Sequence, residues 1–217
     1  IVVDTGVFTA GAIAGNVTIT VVDAVGDTAT ATATVLPLAL GFDVIAVTQA
    51  AAAAAEKQMK IKNQAIFDRN VASIRAFVQG FSDKDLDAQM ALFSDTAMWS
   101  PPQYNGNVWV GTDDLREVLA GYHDNFENIT FEEGIDLGLG GERQPAFWSG
   151  SVYPSGTATS LPNNIRIYGT WRSIHTESGN EVYNKWYGLM FFNEAGEIVR
   201  FTDWFDVNGM ALQIAGE

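Results

Sequence analysis

Gly196-Glu197-Ile198-Val199-Arg200-Phe201-Thr202-Asp203-Trp204-Phe205-Asp206-Val207-Asn208-Gly209-Met210-Ala211-Leu212-Gln213-Ile214 is the stretch whose reading decides the fold. Side chains alternate along a strand, so Phe201, Asp203 and Phe205 share one face while Thr202, Trp204 and Asp206 share the other. A carboxylate set between two phenyl rings is partly desolvated, which raises its pKa and suits it to exchanging protons near neutral pH. The turn Asn193-Glu194-Ala195-Gly196 joins this strand, at about 197–206, to an earlier one at about 181–193. A regular hairpin there brings Lys185 close to Asp203. Lys185 and Tyr187 have one parity and Trp186 the other. A lysine beside the carboxylate serves either as a structural ion pair or as the positive group that steadies an enolate.

Working back from the hairpin, strand patterns recur at about 129–138, 146–153 and 164–176. Before them the periodicity is helical. Phe67, Val71, Ile74, Val78 and Phe81 recur at three- and four-residue steps and form one apolar stripe. Ser82 and Asp85 have the spacing of a capping box, which predicts a second helix carrying Leu86, Met90 and Phe93 inward. Ala97-Met98-Trp99 is a short apolar segment before Pro101-Pro102, and Asn105-Gly106 predicts a tight turn. Thr112, Asp113 and Asp114 suit the positive end of a third helix whose buried face is Leu115, Val118, Leu119, Tyr122 and Phe126. Three helices followed by antiparallel strands is an α+β plan. A strongly curved sheet would wrap the long first helix and leave an apolar pocket open at one end, lined by Trp99, Tyr122, Phe126, Trp171, Tyr187, Phe201 and Phe205.

The composition changes near Lys57, the first basic residue. Residues 1–36 alternate as strands in Val17–Val22 and Ala29–Val35, about the turn-like Asp23–Asp27. Residues 37–60 are an apolar connector running into an Ala-rich helix; Asp43 and Gln49 set it apart from a membrane span, and no basic region directly precedes it as in a signal peptide. The expected division is therefore 1–36, 37–60 and 61–217. Gly6–Gly11, Gly15–Asp23 and Gly26–Thr30 resemble the last strands of a bacterial immunoglobulin-like repeat. Such a sandwich needs about seven strands, so this piece is a truncated repeat, packs on the main domain, or borrows strands from another chain. Strand-mediated self-assembly through residues 1–36 is the expected route.

The chain has 217 residues, a formal charge of -14, 47% hydrophobic and 18% charged residues, and no cysteine. That charge repels phosphate backbones, so nucleic acid is not expected as a partner. Without cysteine there is no disulfide, thiolate nucleophile or zinc–thiolate site. The two histidines, His123 and His175, lack metal-ligand spacing, and both read as partly exposed surface residues. No metal or cofactor is expected.

The Gly196–Ile214 stretch resembles the SnoaL-like pattern, in which a Gly-[Lys/Glu]-Ile-Val strand leads to an Asp, a Gly-Leu-Leu-type turn and a Gln-Leu ending. Ile165–Trp171 with Ser178-Gly179 resembles the family's third and fourth strands, and Gly111–Leu115 its entry to the third helix. The resemblance covers nearly all of residues 62–217 and implies the cone of the ketosteroid-isomerase-like (nuclear transport factor 2-like) superfamily. Thr202–Asp206 is also similar to the Arg-Asp-Tyr-Phe-Asp segment of limonene-epoxide-hydrolase-type enzymes. There the first Asp acts in acid–base chemistry, which assigns that role to Asp203 and a structural one to Asp206. The Arg and Asp partners of that reaction correspond to Gly169 and Trp171, and its water-holding Tyr and Asn fall near Trp99 and Pro101, so epoxide hydrolysis itself is not expected.

The resemblance implies a small hydrophobic ligand of polyketide, steroid or terpenoid type, proton transfer without a cofactor, and a homodimer through the outer sheet face with Trp204 and Trp186 as anchors. The alternative is a non-catalytic binding or assembly module of a cell-surface or extracellular protein. The immunoglobulin-like strands favour a secreted, periplasmic or cell-surface location over the cytoplasm.

Overall fold

The computed structural model describes residues 15–22, 26, 28–35, 44–103, 108–149 and 162–217. The expected strand at Gly6–Gly11, most of the Asp23–Asp27 turn, the start of the apolar connector, the Asn105-Gly106 turn and the end of the 146–153 strand lie outside these residues. The chain divides into two compact units, Ile1–Lys62 and Asn63–Glu217.

In the first unit β1 (Gly15–Val22) and β2 (Thr28–Val35) pair antiparallel along their whole length, from Gly15 opposite Val35 to Val22 opposite Thr28. Alternating Thr, Val and Ala favour this extended form. α1 (Val44–Asp83) begins in the Ala-rich segment and continues into the second unit. Within the second unit its apolar stripe is deeply covered, with Ile74 0%, Phe77 2% and Val71 6% exposed. Phe77, absent from the expected stripe, meets Phe81, Phe93 and Phe201 edge-on at 5.4, 5.7 and 5.9 Å. Burying a ring of this size is worth about 1.5–3 kcal/mol.

α1 ends where Lys84 adopts a left-handed backbone, φ 58°. The expected capping box does not form: Asp85 is itself the cap of α2 (Leu86–Met90), its Oδ1 accepting from the Ala88 amide at 2.9 Å. Ser82, still helical, donates instead to the Ile129 carbonyl at 2.7 Å. The left-handed turn folds α2 back on α1, and Gln89 enters the core to donate to the Phe77 carbonyl at 2.8 Å. Gly80 permits this approach, since a Cβ there would lie 2.3 Å from the Gln89 side chain. β3 (Phe93–Ser100) follows, so Phe93 stands on a strand rather than a helix.

α3 (Thr112–Asn125) starts after Gly111, which makes no side-chain cap bond, so Thr112 is helical and not the cap. At its other end Lys84 Nζ donates to the carbonyls of His123 and Phe126, placing a cation at the negative end of the helix dipole. The remaining strands are β4 (Phe126–Glu133), β5 (Phe147–Ser149), β6 (Asn164–His175), β7 (Glu181–Phe192) and β8 (Ile198–Trp204). A helix not foreseen, α4 (Val207–Ala215), follows β8, with Asp206 accepting from the Gly209 amide at its start.

The α+β architecture is as expected, with a six-stranded curved open sheet in the order β3-β8-β7-β6-β4 and β5 pairing β6 as well. One pairing differs from the expected antiparallel sheet: β3 and β8 run parallel. Alternation identifies a strand but not its direction, and the long intervening chain makes the crossover feasible. Beside the first residues of β7, beyond the end of β8, α4 takes the place of a strand. Gln213 both accepts from the Tyr183 amide at 2.8 Å and donates to the Tyr183 carbonyl at 3.0 Å, as a paired strand would.

Candidate active site

The inner faces of β3, β6, β7 and β8 meet α1 and α3 around a cavity lined by aromatic rings. It measures about 750 Å³ with its open mouth counted. Phe77, Phe81, Tyr122, Trp171, Phe201 and Phe205 are among its walls. Among the described residues Asp203 is the one carboxylate that lines it, and it is 6% exposed.

Two indoles hold this carboxylate. Trp99 Nε1 donates to Oδ1 at 2.9 Å from β3, and Trp186 Nε1 donates to Oδ2 at 3.0 Å from β7. Each carboxylate oxygen has two lone pairs, so each retains one for a ligand. Burial pushes the Asp203 carboxyl up to about 6, against the two indole hydrogen bonds, which pull it down. The Tyr122 hydroxyl is pushed up to about 12, first by burial and then by the Asp203 charge, and it stays protonated as a donor.

Trp186 reaches Asp203 through a break in register. Phe192 pairs with Ile198 but Phe191 with Arg200, so Val199 is an extra residue on β8. Beyond this bulge Gly188, not Tyr187, stands opposite Asp203. A one-residue shift exchanges the two faces of a strand. Trp186 therefore points inward, 4% exposed, and its ring leans over Gly188, where a Cβ would lie 2.7 Å from it.

The same bulge corrects two sequence expectations. Lys185 lies exposed on the outer face and does not approach Asp203; Tyr187 shares that face, where its ring stacks on Trp204 at 5.0 Å. Trp186 is likewise not an exposed anchor. Of the other expected pocket residues, Trp99, Tyr122, Phe126, Trp171, Phe201 and Phe205 all line the cavity with Asp203. Phe126 does so as the first residue of β4, not from α3. Trp186, Ser173, Asn184 and Met210 were missed; the inward direction of Trp186 and Asn184 follows once the bulge is known, whereas Ser173 shares the parity of Trp171 on β6.

His123 is buried, at 9% exposure, and not on the surface as expected. Its ring meets Phe81 edge-on at 5.5 Å, its Nε2 has no hydrogen-bond partner, and burial, then Lys84, lowers its pKa. His175 is half-buried at the β6–β7 turn, where its Nδ1 accepts from the Ser178 amide at 3.2 Å. Among the described residues no group of three or more His, Cys, Asp or Glu could hold a metal ion.

A curved sheet closed by helices around one buried, indole-held carboxyl defines a cone-type α+β protein with an apolar pocket. The SnoaL-like domain family matches residues 74–209, and the chain belongs to it. The fold is also that of several solved proteins. AclR from Streptomyces galilaeus, named as a hydroxylase, is similar at TM-score 0.53 and 11% identity, over 70% of this chain and 98% of that one. PrhC from Penicillium brasilianum is similar at TM-score 0.51 and 13% identity, over 70% and 91%. A Bacillus subtilis protein named as an isomerase is similar at TM-score 0.51 and 13% identity, over 70% and 96%. No curated protein matches the chain. No helix among the described residues is long and apolar enough to cross a membrane.

Proposed function

We propose that the cavity binds a small, uncharged, largely apolar molecule and that Asp203 moves a proton on it as acid and base, without a cofactor. The observation that carries this reading is one carboxyl, 6% exposed and raised to about 6, in a largely apolar cavity rich in aromatic rings. A group titrating near neutrality both takes and returns a proton efficiently. The indoles hold its orientation, each oxygen keeps a lone pair for a ligand, and Tyr122, in the same cavity wall, is a neutral donor available to a developing enolate oxygen. Lys185, on the outer face, has no part in this chemistry. Polyketide-, steroid- and terpenoid-like ligands fit the aromatic walls, and the relatives named as an isomerase and a hydroxylase are consistent with small-molecule chemistry on this fold.

The test is hydrogen–deuterium exchange at the α-carbon of β-tetralone, an enolisable bicyclic ketone, followed by NMR. Wild type should accelerate exchange and Asp203→Asn should bind the ketone without doing so. Binding without exchange in wild type would instead establish the non-catalytic binding module.

A homodimer through the outer face of the sheet belongs to the same proposal. Trp148, Tyr168, Tyr187 and Trp204 follow one another across β5, β6, β7 and β8 with ring centres 4.8, 4.7 and 5.0 Å apart, and Trp204 is 49% exposed. The β1–β2 hairpin pairs with no other strand among the described residues. Its outer edges are the basis for proposing strand-mediated assembly, which deletion of residues 1–36 should abolish in sedimentation while leaving the SnoaL-like domain folded.

A further inference from the structure

We infer that the cavity has a second polar end, formed by Ser173 and Asn184, and that its ligand is an elongated uncharged molecule carrying a hydroxyl or carbonyl at each end. This rests on the reading of the cavity as a binding site for an apolar molecule and adds which molecules it selects.

Ser173 and Asn184 both line the cavity. Ser173 is 9% exposed, and its hydroxyl has no hydrogen-bond partner among the described residues. Asn184 has only the Met210 thioether, at 3.8 Å from Nδ2, and sulfur is a weak acceptor. Polar groups turned into an apolar wall without partners cost stability. Such groups in a cavity are matched when a ligand brings the complementary donor or acceptor.

Register places this pair away from Asp203. Trp171 stands opposite Asn184 and Ser173 opposite Val182, so Ser173 and Asn184 are diagonal neighbours across β6 and β7. Diagonal side chains on one face are close enough for one ligand oxygen to reach both. Gly188, opposite Asp203, is four residues further along β7 than Asn184, about 13 Å at the usual rise per residue. Trp186 lies between them, with its ring over Gly188. The two polar groups thus stand at separate levels of one cavity, whose wall also carries Tyr122, Phe81 and Trp171. Among the described residues no lysine or arginine lines the cavity, which disfavours an anionic ligand beside Asp203.

Biphenyl, para-hydroxybiphenyl and para,para′-dihydroxybiphenyl are rigid probes with zero, one and two terminal hydroxyls. Their affinities are read by quenching of tryptophan fluorescence and by calorimetry. Wild type should prefer the two-ended probe over the one-ended probe by about 3- to 10-fold, the worth of one added hydrogen bond. In the double variant Ser173→Ala, Asn184→Ala the preference should fall to near unity, with circular dichroism showing the fold retained. In Ser173→Thr, which keeps the hydroxyl, it should persist. Equal binding of the one- and two-ended probes by wild type, or a preference that survives the double variant, would overturn the second polar end while leaving the apolar pocket standing. Failure of all three probes to bind would overturn the pocket reading, and the inference with it.

Discussion

Trp186 Nε1 stands 3.0 Å from Asp203 Oδ2, although the two residues sit on neighbouring strands whose regular pairing would have turned them to opposite faces. The indole is a neutral donor to the charged form of the carboxyl, so it opposes the upward push of burial. Trp186→Phe should therefore raise the Asp203 titration midpoint above about 6, by about one pH unit for a hydrogen bond to a charged group. Infrared titration of the carboxyl band reads this directly. An unchanged midpoint would mean that the hydrogen bond does not govern the carboxyl.

The raised carboxyl also makes a statement about stability. Folding lifts Asp203 from its ordinary 3.8 to about 6, so the folded state holds a proton that the unfolded chain has lost. Its contribution is greatest below pH 3.8 and is lost as pH rises through about 6. The span corresponds to about 3 kcal/mol. Other carboxylates are common to wild type and Asp203→Asn, so they cancel in the difference between the two. Chemical denaturation should show wild type losing up to about 3 kcal/mol relative to the variant between pH 4 and pH 7. A pH-independent difference would show that the carboxyl is not shifted.

Much of this arrangement was legible in the sequence because it rests on local periodicity. Phe201, Asp203 and Phe205 alternate as they do in the structure, and Val71, Ile74 and Phe81 mark the buried face of α1. The Gly196–Ile214 stretch carried the family. Lys185 and Tyr187 were misplaced for one reason: Val199 adds a residue to β8, and apolar alternation carries no sign of such an insertion. The turn at Lys84 was hidden because a left-handed non-glycine residue is held by tertiary bonds, here from its own Nζ to α3 and β4. α4 is only nine residues long, and its helically spaced Val207, Met210 and Ile214 fell in the stretch read as a turn and tail.

Gly188 is where the carboxyl's environment is most exposed to a small change in volume. An alanine Cβ would lie 2.7 and 2.8 Å from the Trp186 ring, and 3.2 Å from Ile167. Ile167 is fully buried and has little room to yield, so the ring must move. Gly188→Ala should displace the indole, raise the Asp203 midpoint as Trp186→Phe does, and cost about 1–3 kcal/mol as an overpacked core. A crystal structure of the variant with the Trp186–Asp203 bond intact would contradict this.

His123 contributes a separate acid sensitivity. Burial and then Lys84 lower its pKa, so stability that is present when the imidazole is neutral is lost as pH falls below the ordinary 6.5. Its Nε2 has no partner. His123→Leu keeps the apolar contact with Phe81 and removes that atom. The variant should be at least as stable as wild type at pH 7, and more stable at pH 5 by a margin that grows with acidity, measured by thermal unfolding. A variant clearly less stable at pH 5 would show that the imidazole makes a favourable bond there.

The aromatic row on the outer face is the last feature to test. Trp148, Tyr168, Tyr187 and Trp204 meet ring to ring across four strands, edge-on, tilted and stacked in turn, and Tyr183, also on β7, is 46% exposed. Cross-strand aromatic pairs stabilise the sheet modestly by themselves, which accounts for their contact with one another but leaves Trp204 half in water. Exposed tryptophan and tyrosine at the centre of a flat face are the residues that dominate the energetics of stable interfaces. Trp204→Arg would place a charge at that centre without touching the inner face, where Asp203 and Phe201 lie. Sedimentation at micromolar concentration of the chain without residues 1–36, which removes assembly through the hairpin, should show a dimer with Trp204 and a monomer with Trp204→Arg, with the Asp203 midpoint unchanged in both. A wild-type monomer, or a Trp204→Arg dimer of equal strength, would leave the row as a device of sheet stability alone.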